Sequence, residues 1–269
     1  MQTISWKLGR AAGIDLYMHP TFLILLAYAA HLDGTLGVAF TVAMFGCVLL
    51  HEFGHSLTAR RFGIETLDIT LYPIGGVARL ERMPRKPGVE LLVALAGPAV
   101  NFFIVAMLWS VSSVIGLETE GLVGRFVAGL IAINLVLGLF NLIPAFPMDG
   151  GRVLRALLSG WLGRVRATEI AAGLGRGLAV AFGAYCFFSG AYLQMFLAAF
   201  IYIAAGAELR QVIDESQNGP PGGRGHRIRW ATPPRETKWS YGSGTWKLAP
   251  IPAESQMGQG RRGGRGSWQ

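Results

Sequence analysis

The 269-residue chain predicts an all-α polytopic membrane protein: about six transmembrane helices, a small β-hairpin and a disordered C-terminal tail. Three observations carry that expectation. Hydrophobic residues make up 52% of the chain and charged residues only 15%, against ~25% charged in ordinary soluble domains. Mean hydropathy is +0.42, and apolar runs approaching bilayer length recur from Thr21 to Ala207. After Glu208 the composition turns abruptly to Gly, Pro, Ser and Arg, which cannot build a core. The expected division is therefore a membrane domain over 1–210 and a basic tail over 211–269.

Residues 1–19 read as an amphipathic lead-in, in which Gly13 to Met18 alternate as a strand does at an interface. Pro20 opens the first apolar segment, Thr21 to about Leu32, since proline suits a first helical turn. That segment is short of the ~20 residues a span needs, so flanking residues or a locally thin bilayer must complete it. No small-residue cleavage site follows it, and it is expected to stay in the mature protein. Gly37 to Phe62 is the second span. Alternation on both sides of Gly75-Gly76, over Leu67–Tyr72 and Val77–Glu81, predicts a β-hairpin, with Pro73 favouring a sheet edge.

Val89 to Ile115 forms the third span and Leu122 to Leu142 the fourth. Ile170 to Phe188 and Tyr192 to Ala207 complete the set across a tight Ser189-Gly190 turn. Arg176 then places the start of the fifth helix among headgroups, where a long side chain can snorkel. The two cysteines, Cys47 and Cys186, both lie in apolar runs and imply no disulfide framework.

Two stretches resist a purely structural explanation. The first is His51-Glu52-Phe53-Gly54-His55, within the second span. Residues four apart on a helix lie one above the other, so both imidazoles face one way and can hold a zinc ion. Glu52, one residue on, reaches a water bound to such an ion. Ionisable groups are costly at membrane depth and mark function by default. The second stretch is Asn141-Leu142-Ile143-Pro144-Ala145-Phe146-Pro147-Met148-Asp149-Gly150-Gly151-Arg152. Its two prolines and glycine pair cannot continue a regular helix, and irregular backbone near membrane depth must be buried in protein or line a wet cavity. An open zinc site needs a third protein ligand, and Asp149 is the best-placed acidic residue. Asn141 and Asn101 are candidates to contact a substrate and share its developing negative charge.

Positive charge concentrates at Lys7 and Arg10, from Arg60 to Lys86, from Arg152 to Arg166, and in the tail. The positive-inside rule places both termini and both motif-bearing helix ends on the cytoplasmic side of a cell membrane. Topology thus accounts for the net charge of +8 without a specific nucleic-acid partner.

The paired motifs, together with His19-Pro20-Thr21-Phe22, Tyr72 to Arg79 and Ala96 to Asn101, resemble the site-2 protease family of intramembrane zinc metalloproteases. The similarity runs over roughly residues 9–207. It implies one zinc ion held by His51, His55 and Asp149, Glu52 as the catalytic base, Asn141 as the favoured substrate contact, and single-span membrane proteins as substrates. It also implies three core helices carrying the site, with the fifth and sixth proposed to gate it. No PDZ-like insert fits between the third and fourth spans, and no CBS pair is legible downstream, so this is expected to be a short form. A divalent-metal transporter is the alternative from another class, although no internal repeat supplies matching ligands from two halves. An inactive scaffold of the same family is a third possibility, against which stands the intact Glu52.

Overall fold

A computed structural model describes residues 5–117, 120–218, 237–242 and 245–250. The chain divides into two units, Met1–Asp214 and Glu215–Gln269. The first begins with strands β1 (Trp6–Ala11) and β2 (Ile14–Met18), followed by helix α1 (Phe22–Arg61). Strands β3 (Thr66–Tyr72) and β4 (Gly75–Leu80) then lead into α2 (Pro87–Val114), α3 (Leu122–Asn141), α4 (Asp149–Leu162), α5 (Arg164–Phe188) and α6 (Tyr192–Asn218). Five of these helices, α1, α2, α3, α5 and α6, are long and apolar enough to cross a membrane. With the family assignment made below, the protein is a multi-pass membrane protein.

The first two expected spans are the two arms of α1. Helical geometry fails at Asp33 and at Gly34, whose φ of 60° lies in the left-handed region that suits glycine. The chain reverses there. Phe22 meets Phe45 edge-on at 4.6 Å, and the bare face of Gly37 abuts the carbonyl of Ala29. The arm over 22–32 is about 16 Å long at 1.5 Å per residue, so it crosses only about half of a ~30 Å hydrocarbon layer. Five long helices and this short arm together make the expected six.

The hairpin foreseen at Gly75-Gly76 is β3–β4, in a four-stranded sheet ordered β1-β2-β3-β4. β2 and β3 run parallel, and the other neighbours are antiparallel. β4 is an edge strand, pinned to β3 by the bidentate ion pair of Arg79 with buried Asp68. Phe22, Phe45 and Leu71 form a small core that seats the sheet on α1.

Two elements differ from expectation. α5 begins at Arg164, not near Ile170, so Arg176 lies about three turns inside the helix. Its guanidinium packs on Gly206 and stands 5.6 Å over the Tyr202 ring of α6 instead of reaching out to headgroups. The glycine pair, read as unable to continue a regular helix, instead lies in the first turn of a new one, α4, which begins at Asp149. Glycine is tolerated in a first turn, and Gly151 is needed there because a Cβ would stand 2.6 Å from the Phe146 nitrogen. In the second unit, β5 (Thr237–Gly242) and β6 (Thr245–Pro250) pair antiparallel. Disorder is expected over 211–269, but residues 211–218 continue α6 and 237–242 and 245–250 are strands; the other tail residues lie outside the described residues.

Candidate metal centre

Three side chains from two elements converge on one point. His51 and His55 project from the second arm of α1, and Asp149 is the first residue of α4. One carboxylate oxygen of Asp149, Oδ2, lies 3.2 Å from His51 Nε2 and 3.0 Å from His55 Nε2. The two Nε2 atoms are 3.1 Å apart. All three residues are buried, at 4%, 6% and 8% exposure. Zinc–ligand bonds of ~2.0–2.1 Å imply donor separations of about 3.3 Å in a tetrahedron, close to this triangle.

The far nitrogens decide whether the triangle offers lone pairs. His55 Nδ1 lies 2.7 Å from the carbonyl of Val93, which can only accept, so Nδ1 carries the proton. For His51 the same answer comes through a relay. Asn134 donates to the Leu130 carbonyl at 2.8 Å, which leaves its own oxygen to accept from Asn101 Nδ2 at 3.2 Å. Asn101 then presents Oδ1 to His51 Nδ1 at 2.6 Å, so that nitrogen must donate. Both imidazoles therefore turn unprotonated Nε2 atoms toward Asp149, as metal-ligating histidines fixed through their second nitrogen do. Among the described residues this is the cluster able to hold a metal ion, and its donor set fits zinc.

α2 supplies the support. Pro98 has no N–H to donate to the Ala94 carbonyl, and the neighbouring Val93 carbonyl accepts the hydrogen bond from His55. Gly97 lies against both rings, and a Cβ there would come within 2.6 Å of His51 Nε2 and nearer still to His55 Nε2.

Glu52 is half-buried and faces a cavity of about 520 Å³ that also reaches both histidines, Asp149, Asn141 and Arg152. β4 forms one wall, and the bare face of Gly76 would set a Cβ 2.9 Å from Glu52 Cγ. Asn141 lines this cleft and donates to the Leu137 carbonyl at 3.0 Å. Asn101 does not line it. With 0% exposure and its polar atoms committed to His51 and Asn134, it holds a ligand in place and has no surface for a substrate. Burial at an interhelical contact replaces the substrate role expected from the sequence.

Sequence reasoning missed the anchor of α4. Arg155, 1% exposed, is paired with buried Glu90 of α2, bonds Glu208 of α6 at 2.9 Å, and stands 4.8 Å over the Phe146 ring. Arg164 of α5 approaches the second Glu90 oxygen at 3.3 Å. This clamp fixes the helix that begins at Asp149 to the helix that orients both imidazoles. A lone Glu90 opening an apolar span is a visible signal that a partner exists, but not of which one.

A His-His-carboxylate triangle with a glutamate beside it, set among membrane-length helices, defines a class of polytopic metalloproteins with a hydrolytic type of site. The family model of peptidase family M50 matches residues 39–123 and 110–182. A zinc metalloprotease of Methanocaldococcus jannaschii is 37% identical over 212 residues, covering 77% of this chain and 61% of the relative. Stage IV sporulation protein FB of Bacillus subtilis is 30% identical over 149 residues, covering 54% of this chain and 48% of the relative. The solved site-2 protease from M. jannaschii has a similar fold, with a TM-score of 0.60 at 37% identity, covering 77% of this chain and 95% of that one. The chain belongs to peptidase family M50, the site-2 protease family. It spans between 48% and 61% of the length of these two curated relatives.

Proposed function

We propose that the chain is an intramembrane zinc metalloprotease that hydrolyses peptide bonds within or near transmembrane segments of membrane proteins, with both termini on the cytoplasmic side of a cell membrane. The observation that carries the proposal is the coincidence of three buried donor atoms at 3.0–3.2 Å with a glutamate-lined cleft. His51, His55 and Asp149 would hold zinc, which supplies Lewis-acid activation of water and of the scissile carbonyl. Glu52 accepts the proton from the attacking water and returns it to the leaving amine. Asn141 faces the cleft as the donor to the carbonyl oxygen as charge develops there. Gly76 lets β4 lie flush against Glu52, so the free edge of β4 runs along the cleft. A transmembrane substrate arrives with its amides already hydrogen-bonded in a helix. Unwinding releases them, and the β4 edge offers replacement bonds by strand addition.

The test is Glu52→Gln in purified, zinc-loaded protein with a single-span substrate. The expected outcome is full zinc content with turnover reduced by about 10²–10⁴-fold, as removal of a general base predicts. His51→Ala, His55→Ala and Asp149→Ala should lose the metal as well. Full activity in Glu52→Gln overturns the assigned base, and metal flux in liposomes without cleavage overturns the protease assignment in favour of transport.

A further inference from the structure

The metal cleft holds a cation that the chemistry above leaves unused. Among the described residues lining the cleft, Arg152 is the sole lysine or arginine. It follows Asp149 by three positions in the first turn of α4, so both side chains leave the helix on the same side. Arg152 is half-buried and makes no hydrogen bond or ion pair with a described residue. The carboxylates of Glu208, Asp149, Glu90 and Glu52 lie near enough to act on its charge, and each has another task. Glu90 and Glu208 bond Arg155, Asp149 closes the metal triangle, and Glu52 faces the cleft as the base.

Arg152 could stand there merely to balance those carboxylates, but the charges argue otherwise. The four carboxylates are matched by Arg155, Arg164 and a divalent ion in the triangle, with both imidazoles neutral. The loaded cluster is thus neutral before Arg152 is counted, and Arg152 leaves it with one positive charge in excess. A partner for that charge has to come from outside the chain. Hydrolysis supplies one. The water oxygen bonds to the scissile carbonyl carbon, the C–N bond breaks, and the neutral amide becomes a carboxylate on one fragment and an ammonium on the other. The carboxylate forms beside the ligands, in a cleft walled by Phe45, Ile133, Leu137 and Phe140, where an unpaired anion is costly. The planar fork of a guanidinium matches a carboxylate with two parallel hydrogen bonds.

We infer that Arg152 is the counterion of the new C-terminal carboxylate on the N-terminal cleavage fragment, and holds that fragment in the cleft until it is released. The inference rests on the protease assignment above and names the residue that meets its product.

The test uses two probes on zinc-loaded protein in detergent: an N-acetylated peptide of leucine and alanine with a free C-terminal carboxylate, and the same peptide ending in an amide. Their Kd values are measured by direct titration on wild type, Arg152→Gln and Arg152→Lys. Zinc itself favours the carboxylate, but it does so in all three proteins, so the change in the ratio of the two Kd values reports Arg152. In Arg152→Gln the carboxylate peptide should bind about 10–100-fold more weakly, as loss of charge-assisted hydrogen bonds predicts, with the amide peptide within about twofold of wild type. Arg152→Lys should regain part of the loss, since it restores the charge without the fork. If Arg152→Gln loses zinc, Arg152→Lys carries the test, with a weakening of about threefold or more confined to the carboxylate peptide. An unchanged Kd for the carboxylate peptide, or equal losses on both probes, overturns the role given to Arg152. Zinc-loaded wild type that prefers the carboxylate peptide yet cleaves no single-span substrate overturns the protease assignment instead.

Discussion

Two glycines touch opposite halves of the site, and methylating each separates metal binding from chemistry. At Gly97 a Cβ would press on His51 and His55 at their Nε2 atoms, and both rings are held from behind, by Asn101 and Val93. Gly97→Ala should therefore displace the imidazoles and weaken zinc binding by about 10–100-fold, the usual cost of disturbing ligand orientation, as read by competition with a chelator. At Gly76 the nearest atom is Glu52 Cγ at 2.9 Å, on a side chain that can swing into the cleft. Gly76→Ala should keep zinc at wild-type affinity and lower kcat. Equal zinc affinity in the two variants would show that Gly97 does not seat the rings. At this scale the grouping of His51, His55 and Asp149 was legible, because His51 and His55 declare their common face by spacing and Asp149 stands out in an apolar chain. The second bonds of the rings were not, since Asn101 and Asn134 are 33 residues apart and meet only through the register of α2 against α3.

At the scale of elements, β4 and α4 each position one side of the cleft. Successive amides of an edge strand point alternately inward and outward, so of Val77 and Ala78 one faces β3 and the other the open edge. Proline at the open-edge position should lower cleavage of a single-span substrate at unchanged zinc content, whereas proline at the other breaks the β3 ladder and destabilises the sheet. Two zinc-replete proline variants with wild-type turnover would exclude strand addition at β4. The hairpin itself could be read from alternation around Gly75-Gly76. α4 could not, because Pro144, Pro147 and the Gly150-Gly151 pair signal a break, and only the packing of that turn shows the break ending at Met148. The clamp on α4 gives a second expectation. Arg155→Met leaves Glu90 with its buried charge uncompensated except through Arg164 and should cost about 3–5 kcal/mol, measured by unfolding in detergent. Arg155→Lys should recover part of that loss by restoring the charge.

Over the whole membrane unit, the same three groups that would hold the metal also tie α1 to α4, while α2 holds α1 through Val93 and Asn101 and holds α4 through Glu90. A metal bound at this junction joins elements that are far apart in sequence, so it must stabilise the fold by binding the native state alone. At a free zinc concentration of about 100 times Kd that contribution is about 2.7 kcal/mol. Chelation should therefore lower the Tm of wild type and of Glu52→Gln by the same amount, because Glu52 is no ligand. It should leave Asp149→Ala, which already lacks one vertex of the triangle, almost unmoved. A chelator shift in wild type that is absent from Glu52→Gln would mean that the glutamate takes part in holding the ion, and the division of labour between base and ligands would have to be redrawn. An equal shift in Asp149→Ala would mean that α4 contributes nothing to the metal, which removes the reason for the buried clamp to fix it there.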